Sequence, residues 1–113
     1  QIDLGFMNSD IHFISPLGYL DMVQLERTAR MILTDSGGIQ KEAYWLKVPC
    51  VTLRDETEWV ETVQHRWNVL AGGDKERILT VIQHYRVPEQ HPILYGDGQA
   101  GQKIIDWLLS IGV

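Results

Sequence analysis

Short apolar runs alternate along the chain with segments in which apolar residues recur at helical spacing. The runs predict four strands, at Ile11–Ile14, Met31–Leu33, Cys50–Leu53 and Trp67–Leu70. The segments between and after them predict helices, at Gly18–Arg30, at Ile39–Leu46, from the 55–58 region to about Gln64, after Asp74, and at about Ala100–Ser110. Strands separated by helices imply right-handed crossovers, so we expect a Rossmann-like parallel sheet with helices on both faces. We expect residues 1–113 to form a single α/β domain.

The junction between the second strand and its helix carries the strongest chemical signal. Asp35 and Ser36 both suit a helix N-cap, and two glycines follow, Gly37 and Gly38. A strand that turns into a helix in this way leaves backbone N–H groups unpaired at the positive end of the helix dipole, and phosphate is the usual occupant of such a site. The alternative is a capped turn in which the glycines serve only tight packing.

Two charged residues lie where they can extend such a site. Glu42 follows Ser36 by six residues, which is roughly 9 Å along a helix and close to the separation between a diphosphate and the ribose hydroxyls. The alternative for Glu42 is a solvated helix carboxylate. Arg54, at a strand end, can pair with a phosphate or with the acidic residues after it. Among those, Asp55 and Glu58 have the spacing of a capping box for the next helix.

Composition and charge exclude several classes of function. The net charge of the 113 residues is -5 and the basic residues are scattered, which argues against a nucleic-acid surface. No apolar run approaches the ~20 residues that span a bilayer. The histidines lack zinc-ligand spacing, so we expect neither a metal site nor a cofactor. Ser36 has no evident histidine partner, which disfavours nucleophilic catalysis. The single cysteine, Cys50, is expected to be a buried thiol of a cytoplasmic protein.

Several motifs, in order and spacing, resemble the non-hydrolysing UDP-N-acetylglucosamine 2-epimerase family. The resemblance runs from about residue 11 to residue 108 and rests on LTDSGGIQKEA at 33–43, Val48-Pro49, LRDETE at 53–58 and YGDGQA at 95–100. It implies the C-terminal domain of a two-domain GT-B enzyme that binds its UDP-sugar substrate between the domains. It further implies that the N-terminal domain is missing from this sequence, in keeping with a start at Gln1 rather than Met, and that the parent enzyme is a homodimer in cell-surface polysaccharide biosynthesis.

The resemblance also assigns roles to individual positions. The turn formed by Ser36, Gly37 and Gly38 is similar to the family's diphosphate-binding turn, and Glu42 to its ribose-binding carboxylate. Met22 falls in the segment that contacts the uracil, and Arg54 matches a further motif position. The family reaction is anti elimination of UDP and its re-addition with inversion at C2. Its acid and base belong to the N-terminal domain, so we expect no catalytic residue here and a role in holding the leaving UDP.

One motif departs from the family pattern. Many simple epimerases carry Glu-Arg-Pro-Glu where this chain has Glu58-Trp59-Val60-Glu61. That form is closer to the branch that acts on UDP-2,3-diacetamido-glucuronate, so the identity of the sugar stays open. Two other functions also stay open, namely the nucleotide-sugar domain of a GT-B glycosyltransferase and a non-catalytic α/β interaction domain.

Overall fold

Three parallel strands form the centre of the computed structural model, which describes residues 10–96 and 98–112. The elements are α1 (Tyr19–Thr28), β1 (Ile32–Thr34), α2 (Gly37–Trp45), β2 (Cys50–Thr52), α3 (Val60–Gln64), β3 (Asn68–Leu70), α4 (Lys75–His84) and α5 (Ala100–Ser110). The strand order is β1-β2-β3, with Leu33 beside Val51 and Val51 beside Val69. The predicted parallel α/β sheet is therefore confirmed.

The core lies between the sheet and the helices that follow its strands. Helix α2 packs on β1, β2 and α1, while α3 packs on β3 and α4 packs on β2. Every residue of β2 is buried, because β2 is the central strand and its neighbours cover both of its edges. The buried apolar residues are Ala43, Tyr44, Val48, Cys50, Val51, Trp67 and Ala71.

The strand predicted at Ile11–Ile14 is wrong. Residues 11–18 form neither helix nor strand, and the side chains of Ile11, Phe13 and Ile14 are at least half exposed. A strand needs a neighbour to accept and donate its backbone hydrogen bonds, and no strand of the described residues lies beside this run. The sheet of the described residues thus has three strands rather than four.

The capping box predicted at Asp55 and Glu58 is also wrong. Helix α3 begins at Val60, and its N-cap is Trp59, whose side chain makes no capping hydrogen bond. Asp55 instead lies against Gly72, where an added Cβ would come within 2.6 Å of its Oδ1. The loop before α3 is therefore organised by tertiary contacts and not by a local cap.

Two other helix starts agree with the sequence. The side chain of Ser36 accepts a hydrogen bond from the backbone N–H of Ile39 (3.4 Å), and Asp74 accepts one from that of Glu76 (3.0 Å). Each satisfies one of the N–H groups that a helix start leaves without an internal acceptor. Ser36 and Asp74 are thus the side-chain caps of α2 and α4.

The molecule is elongated for its size. Its Cα radius of gyration is 17.8 Å, against about 13 Å expected for a compact chain of this length. Helix α5 has no buried residue, and residues 10–20 are all exposed. Among the residues that the structure describes, no helix has the length and hydropathy required to cross a membrane. The exposed apolar side chains of residues 10–20, of α5 and of its C-cap are Ile11, Phe13, Ile14, Leu17, Leu20, Ile104, Ile105, Trp107, Leu109 and Ile111.

Candidate functional site

The turn between β1 and α2 is held by short-range hydrogen bonds. The backbone N–H of Ser36 donates to Oγ1 of Thr34 (3.0 Å), and the N–H of Gln40 donates to the carbonyl oxygen of Ser36 (3.2 Å). Because Gly37 and Gly38 are the first residues of α2, their N–H groups have no acceptor within the helix. These groups lie at the carboxyl end of β1, where open α/β sheets bind their ligands. The predicted strand–turn–helix junction with its unpaired N–H groups is therefore present, and anion binding there stays a prediction.

The loop after β2 closes over this turn. The indole Nε1 of Trp59 donates to the carbonyl oxygen of Gly37 (2.7 Å). The carboxylate of Glu58 lies so near Gly37 that a Cβ there would overlap its Oε1. Glu58 also pairs with Arg54, with 3.3 Å between Oε2 and Nη1. The structure thus links Arg54 to the turn through Glu58, and a side chain at Gly37 would require the Glu58 carboxylate to shift.

A buried polar network fixes this loop to the sheet. Oε1 of Gln40 accepts hydrogen bonds from Oγ1 of Thr57 (2.6 Å) and from Nδ2 of Asn68 (3.1 Å). Nδ2 of Asn68 also donates to Thr62 (3.2 Å), and its Oδ1 accepts from Thr52 (2.6 Å). All of these side chains except Thr57 are buried. Buried polar groups need such partners, so the network sets one arrangement of α2, β2, β3 and the loop.

Glu42 lies on α2 where α1 packs against it, and its side chain is half-buried. Met22 is half-buried on α1, and Glu26 is one turn further along on the same face. Glu26 is only 3% exposed, and its carboxylate oxygens find no hydrogen-bond donor among the described residues. Burial, and then the neighbouring carboxyl of Glu42, raises the pKa of Glu26 to about 7. The α1–α2 contact therefore holds the predicted ribose-binding carboxylate beside a second carboxyl group.

An aromatic cluster flanks the other side of α2. The rings of Tyr44 and Tyr95 are 5.8 Å apart, and those of Trp59 and Tyr95 are 5.2 Å apart. The ammonium of Lys41 lies 5.3 Å from the centre of the Trp59 ring. The hydroxyl of Tyr95 donates to Glu61 (3.1 Å), and burial followed by this carboxylate raises the pKa of Tyr95 to about 12. The 95–98 loop thus approaches α2 through Tyr95, while Asp97 lies outside the described residues.

The predicted site residues lie in two separate places in the structure. Ser36, Gly37 and Gly38 form the turn and Arg54 is linked to it through Glu58, while Glu42 faces Glu26 of α1, the helix that also carries Met22. Where any ligand sits relative to these groups stays a prediction. Among the described residues no group of three or more possible ligands is placed to hold a metal ion. Cys50 is 2% exposed, and burial raises its pKa to about 11, which favours an inert thiol.

The sequence prediction missed four neighbours of the site, namely Glu26, Gln40, Glu58 and Trp59. A signal for Glu26 existed, because it stands among Met22, Leu25 and Ala29 on the apolar side of a helix, where a lone acid is unusual. The position of Trp59 over Gly37 had no such signal, since a loop of this length gives no periodicity from which to place its side chains.

The chain resembles proteins of known name over nearly its whole length. Residues 3–109 match the family described as UDP-N-acetylglucosamine 2-epimerase. A UDP-N-acetylglucosamine 2-epimerase homologue of Methanococcus maripaludis is 52% identical over 103 residues, which is 90% of this chain and 29% of that protein. The UDP-2,3-diacetamido-2,3-dideoxy-D-glucuronate 2-epimerase of Pseudomonas aeruginosa is 40% identical over 104 residues, or 90% of this chain and 29% of that protein.

Solved structures give the same result. The UDP-GlcNAc 2-epimerase of Methanocaldococcus jannaschii has a TM-score of 0.80 and 42% identity, covering 91% of this chain and 29% of that one. Its complex with UDP-GlcNAc and UDP has a TM-score of 0.76 at the same identity and coverage. The chain thus spans less than a third of these relatives, and it corresponds to their C-terminal part. The chain belongs to the UDP-N-acetylglucosamine 2-epimerase family.

Proposed function

We propose that this chain is the UDP-binding part of an enzyme that inverts C2 of a UDP-N-acetylhexosamine. The observation that carries the proposal is the capped turn at Ser36, which presents the free N–H groups of Gly37 and Gly38 near the ion pair of Glu58 with Arg54. In a member of this family, a site of that chemistry fits the diphosphate of a UDP-sugar. Glu42 then accepts hydrogen bonds from the ribose hydroxyls, and Met22 lies against the uracil.

The Arg54–Glu58 pair supports the diphosphate assignment. In the structure the carboxylate of Glu58 lies over Gly37 and faces the guanidinium of Arg54. A diphosphate at the turn is repelled by Glu58 and attracted by Arg54. We therefore propose that ligand binding displaces Glu58 and transfers the guanidinium of Arg54 from the carboxylate to the phosphate.

The reaction follows from the same arrangement. Elimination of UDP from the sugar leaves negative charge on the diphosphate, and unpaired N–H groups at a helix start stabilise that charge. This chain therefore holds and stabilises the leaving group, while the proton at C2 is moved by groups of the N-terminal domain that the relatives possess. The chain by itself is proposed to bind UDP without epimerising a sugar.

The wider assignments are proposals of the same kind. A sugar of the diacetamido-glucuronate type is one candidate substrate, because Trp59 stands where many simple epimerases carry arginine and the named Pseudomonas relative matches at 40% identity. We also propose a homodimeric parent enzyme in the cytoplasm, which supplies a sugar for cell-surface polysaccharide.

Calorimetric titration of UDP into the chain tests the nucleotide site. We expect Ser36→Ala and Glu42→Ala each to weaken UDP binding about tenfold, which corresponds to about 1.4 kcal/mol. Arg54→Ala should weaken it as well. Asp74→Ala is the matched control for Ser36→Ala, since it removes the equivalent cap from α4 at a similar cost in stability of about 1 kcal/mol.

The control decides how a loss of affinity is interpreted. If Asp74→Ala weakens UDP binding as much as Ser36→Ala, the effect reflects stability and the turn is not the site. Unchanged affinity in the Ser36, Glu42 and Arg54 variants would overturn the proposed site even if the wild-type chain binds UDP. Failure of the full-length protein to epimerise any UDP-N-acetylhexosamine would overturn the proposed reaction.

A further inference from the structure

Glu26 is a buried carboxyl group for which neither the fold nor the proposed nucleotide site gives a reason. It is 97% covered by the protein, and neither of its oxygens has a hydrogen-bond partner within residues 10–96 and 98–112. The ion pair found among those described residues joins Arg54 to Glu58 and does not involve Glu26. Burying an ionised carboxylate without a hydrogen-bond donor is costly. A buried carboxyl group of this kind is therefore usually protonated.

The charged groups around Glu26 point to a single neighbour. On α2, the helix packed against α1, the charged residues are Lys41 and Glu42. The ammonium of Lys41 lies over the rings of Trp45, Trp59 and Tyr95, which leaves Glu42 facing Glu26. On α1 itself and just after it, Asp21, Arg27 and Arg30 are all exposed.

A neutral Glu26 supplies the hydrogen-bond donor that two ionised carboxylates lack. Two carboxylates have only acceptor atoms and repel each other, whereas a protonated Glu26 donates its O–H to Glu42. The carboxylate of Glu42 has further lone pairs, which can accept from other donors. Burial and the Glu42 carboxyl favour this protonated form up to neutral pH, because they raise the pKa of Glu26 to about 7.

We propose that protonated Glu26 is a positioning residue that donates a hydrogen bond to Glu42 and orients its carboxylate toward the two hydroxyls of a ribose. The inference rests on the proposed function, in which Glu42 is the ribose-binding group. It adds that nucleotide-sugar affinity is set by the protonation of a residue that does not touch the ligand. Ionisation of Glu26 removes the hydrogen bond and adds a repelling charge, so affinity falls as the pH rises through neutrality.

Calorimetric titration of UDP-GlcNAc into the full-length protein from pH 5.5 to 8.5 tests the inference. UDP-GlcNAc is the probe because its esterified diphosphate has no ionisation in this range, unlike the terminal phosphate of UDP. We expect the dissociation constant of the wild-type protein to rise about tenfold between pH 6.5 and pH 8.5. Glu26→Gln should bind at every pH as the wild type does at pH 6, since its amide can donate to Glu42 without titrating.

A second variant separates positioning from packing. Glu26→Leu fills a similar volume but cannot donate, so it should bind several-fold more weakly than Glu26→Gln and show no pH dependence. A wild-type affinity that is independent of pH, or equal binding by the leucine and glutamine variants, would overturn the positioning role while leaving the nucleotide site intact. Absence of binding by the wild-type protein at pH 6 would instead refute the proposed function and the inference together.

Discussion

Helices α2 and α5 both begin at a glycine-containing turn, but they differ in capping and in burial. Helix α2 is capped by the side chain of Ser36 and buries Gln40, Ala43 and Tyr44. Helix α5 has Gln99 at its N-cap without a side-chain hydrogen bond, and it buries no residue. The comparison shows that similar local signals produce a helix in both places but an organised site only where the sheet packs behind it.

The glycines of the two turns serve different purposes. Gly37 has an ordinary backbone conformation, and a side chain there would have to displace the carboxylate of Glu58, which is the end of a flexible side chain. Gly96 and Gly98 have φ angles of 90° and 83°, which glycine adopts far more readily than other residues. A glycine pair in a sequence therefore identifies a turn without saying whether the turn approaches a ligand or only reverses the chain.

The buried network behind α2 should give the largest effect on stability. Asn68→Ala removes the donor to Gln40 and Thr62 and the acceptor of Thr52, so three buried groups lose a partner. We expect the free energy of unfolding to fall by about 3 kcal/mol, measured by urea denaturation at pH 6. A loss below about 0.5 kcal/mol would show that the network does not hold α2 to the sheet.

The buried acid at the α1–α2 contact should give the next largest effect, and it should depend on pH. The folded chain holds a proton on Glu26 up to about pH 7, while an unfolded glutamate releases it near pH 4.5. Wild-type stability therefore falls as the pH rises between these values. Relative to wild type, Glu26→Gln should gain about 2 kcal/mol on going from pH 5 to pH 7.

Urea denaturation of both proteins at the two pH values measures this gain. Glu76→Gln, an exposed change on α4, is the matched control and should show no such gain. An equal pH dependence in wild type and Glu26→Gln would mean that Glu26 is ionised in the folded chain.

The contact that closes the loop over α2 should give a smaller effect. Trp59→Phe keeps an aromatic ring beside Tyr95 but loses the donor to the carbonyl oxygen of Gly37. We expect about 1 kcal/mol less stability and a several-fold weaker affinity for UDP, measured by denaturation and calorimetry. An unchanged affinity would show that the indole does not organise the turn.

Changes on α5 should give the smallest effect on this chain. Leu109 is 67% exposed, so Leu109→Ser removes little buried surface. We expect the free energy of unfolding of the chain to change by less than about 0.5 kcal/mol. A larger loss would mean that α5 packs on this domain in solution and that the contrast with α2 is weaker than the structure indicates.

The part of the fold set by local pattern could be predicted from the sequence, and the part set by long-range contacts could not. The β1–turn–α2 unit and the Asp74 cap follow from apolar spacing and from side chains that bond to their own helix. Ile11–Ile14 has the pattern of a strand but no pairing neighbour in the described sheet. Asp55 has the spacing of a cap but contacts Gly72 instead.

The same distinction holds at the site. The roles predicted for Ser36, Gly37 and Gly38 depend on a helix start, which the sequence displays. The contacts of Glu58 and Trp59 with Gly37 join residues more than 20 positions apart, and no periodicity links them. Glu26 lies between the two cases, since its burial follows from the helical pattern whereas its proximity to Glu42 depends on how α1 crosses α2.

The most direct test of the nucleotide site is the response of backbone amides to UDP in ¹H–¹⁵N NMR spectra of the chain. The site predicts that the amide signals of Gly37, Gly38 and Ile39 shift strongly and saturate together. Those of Lys75 and Glu76, at the equivalent capped start of α4, should move little. Shifts of equal size at both helix starts, or none at Gly37 and Gly38 while UDP binds elsewhere, would contradict the site proposed at the Ser36 turn.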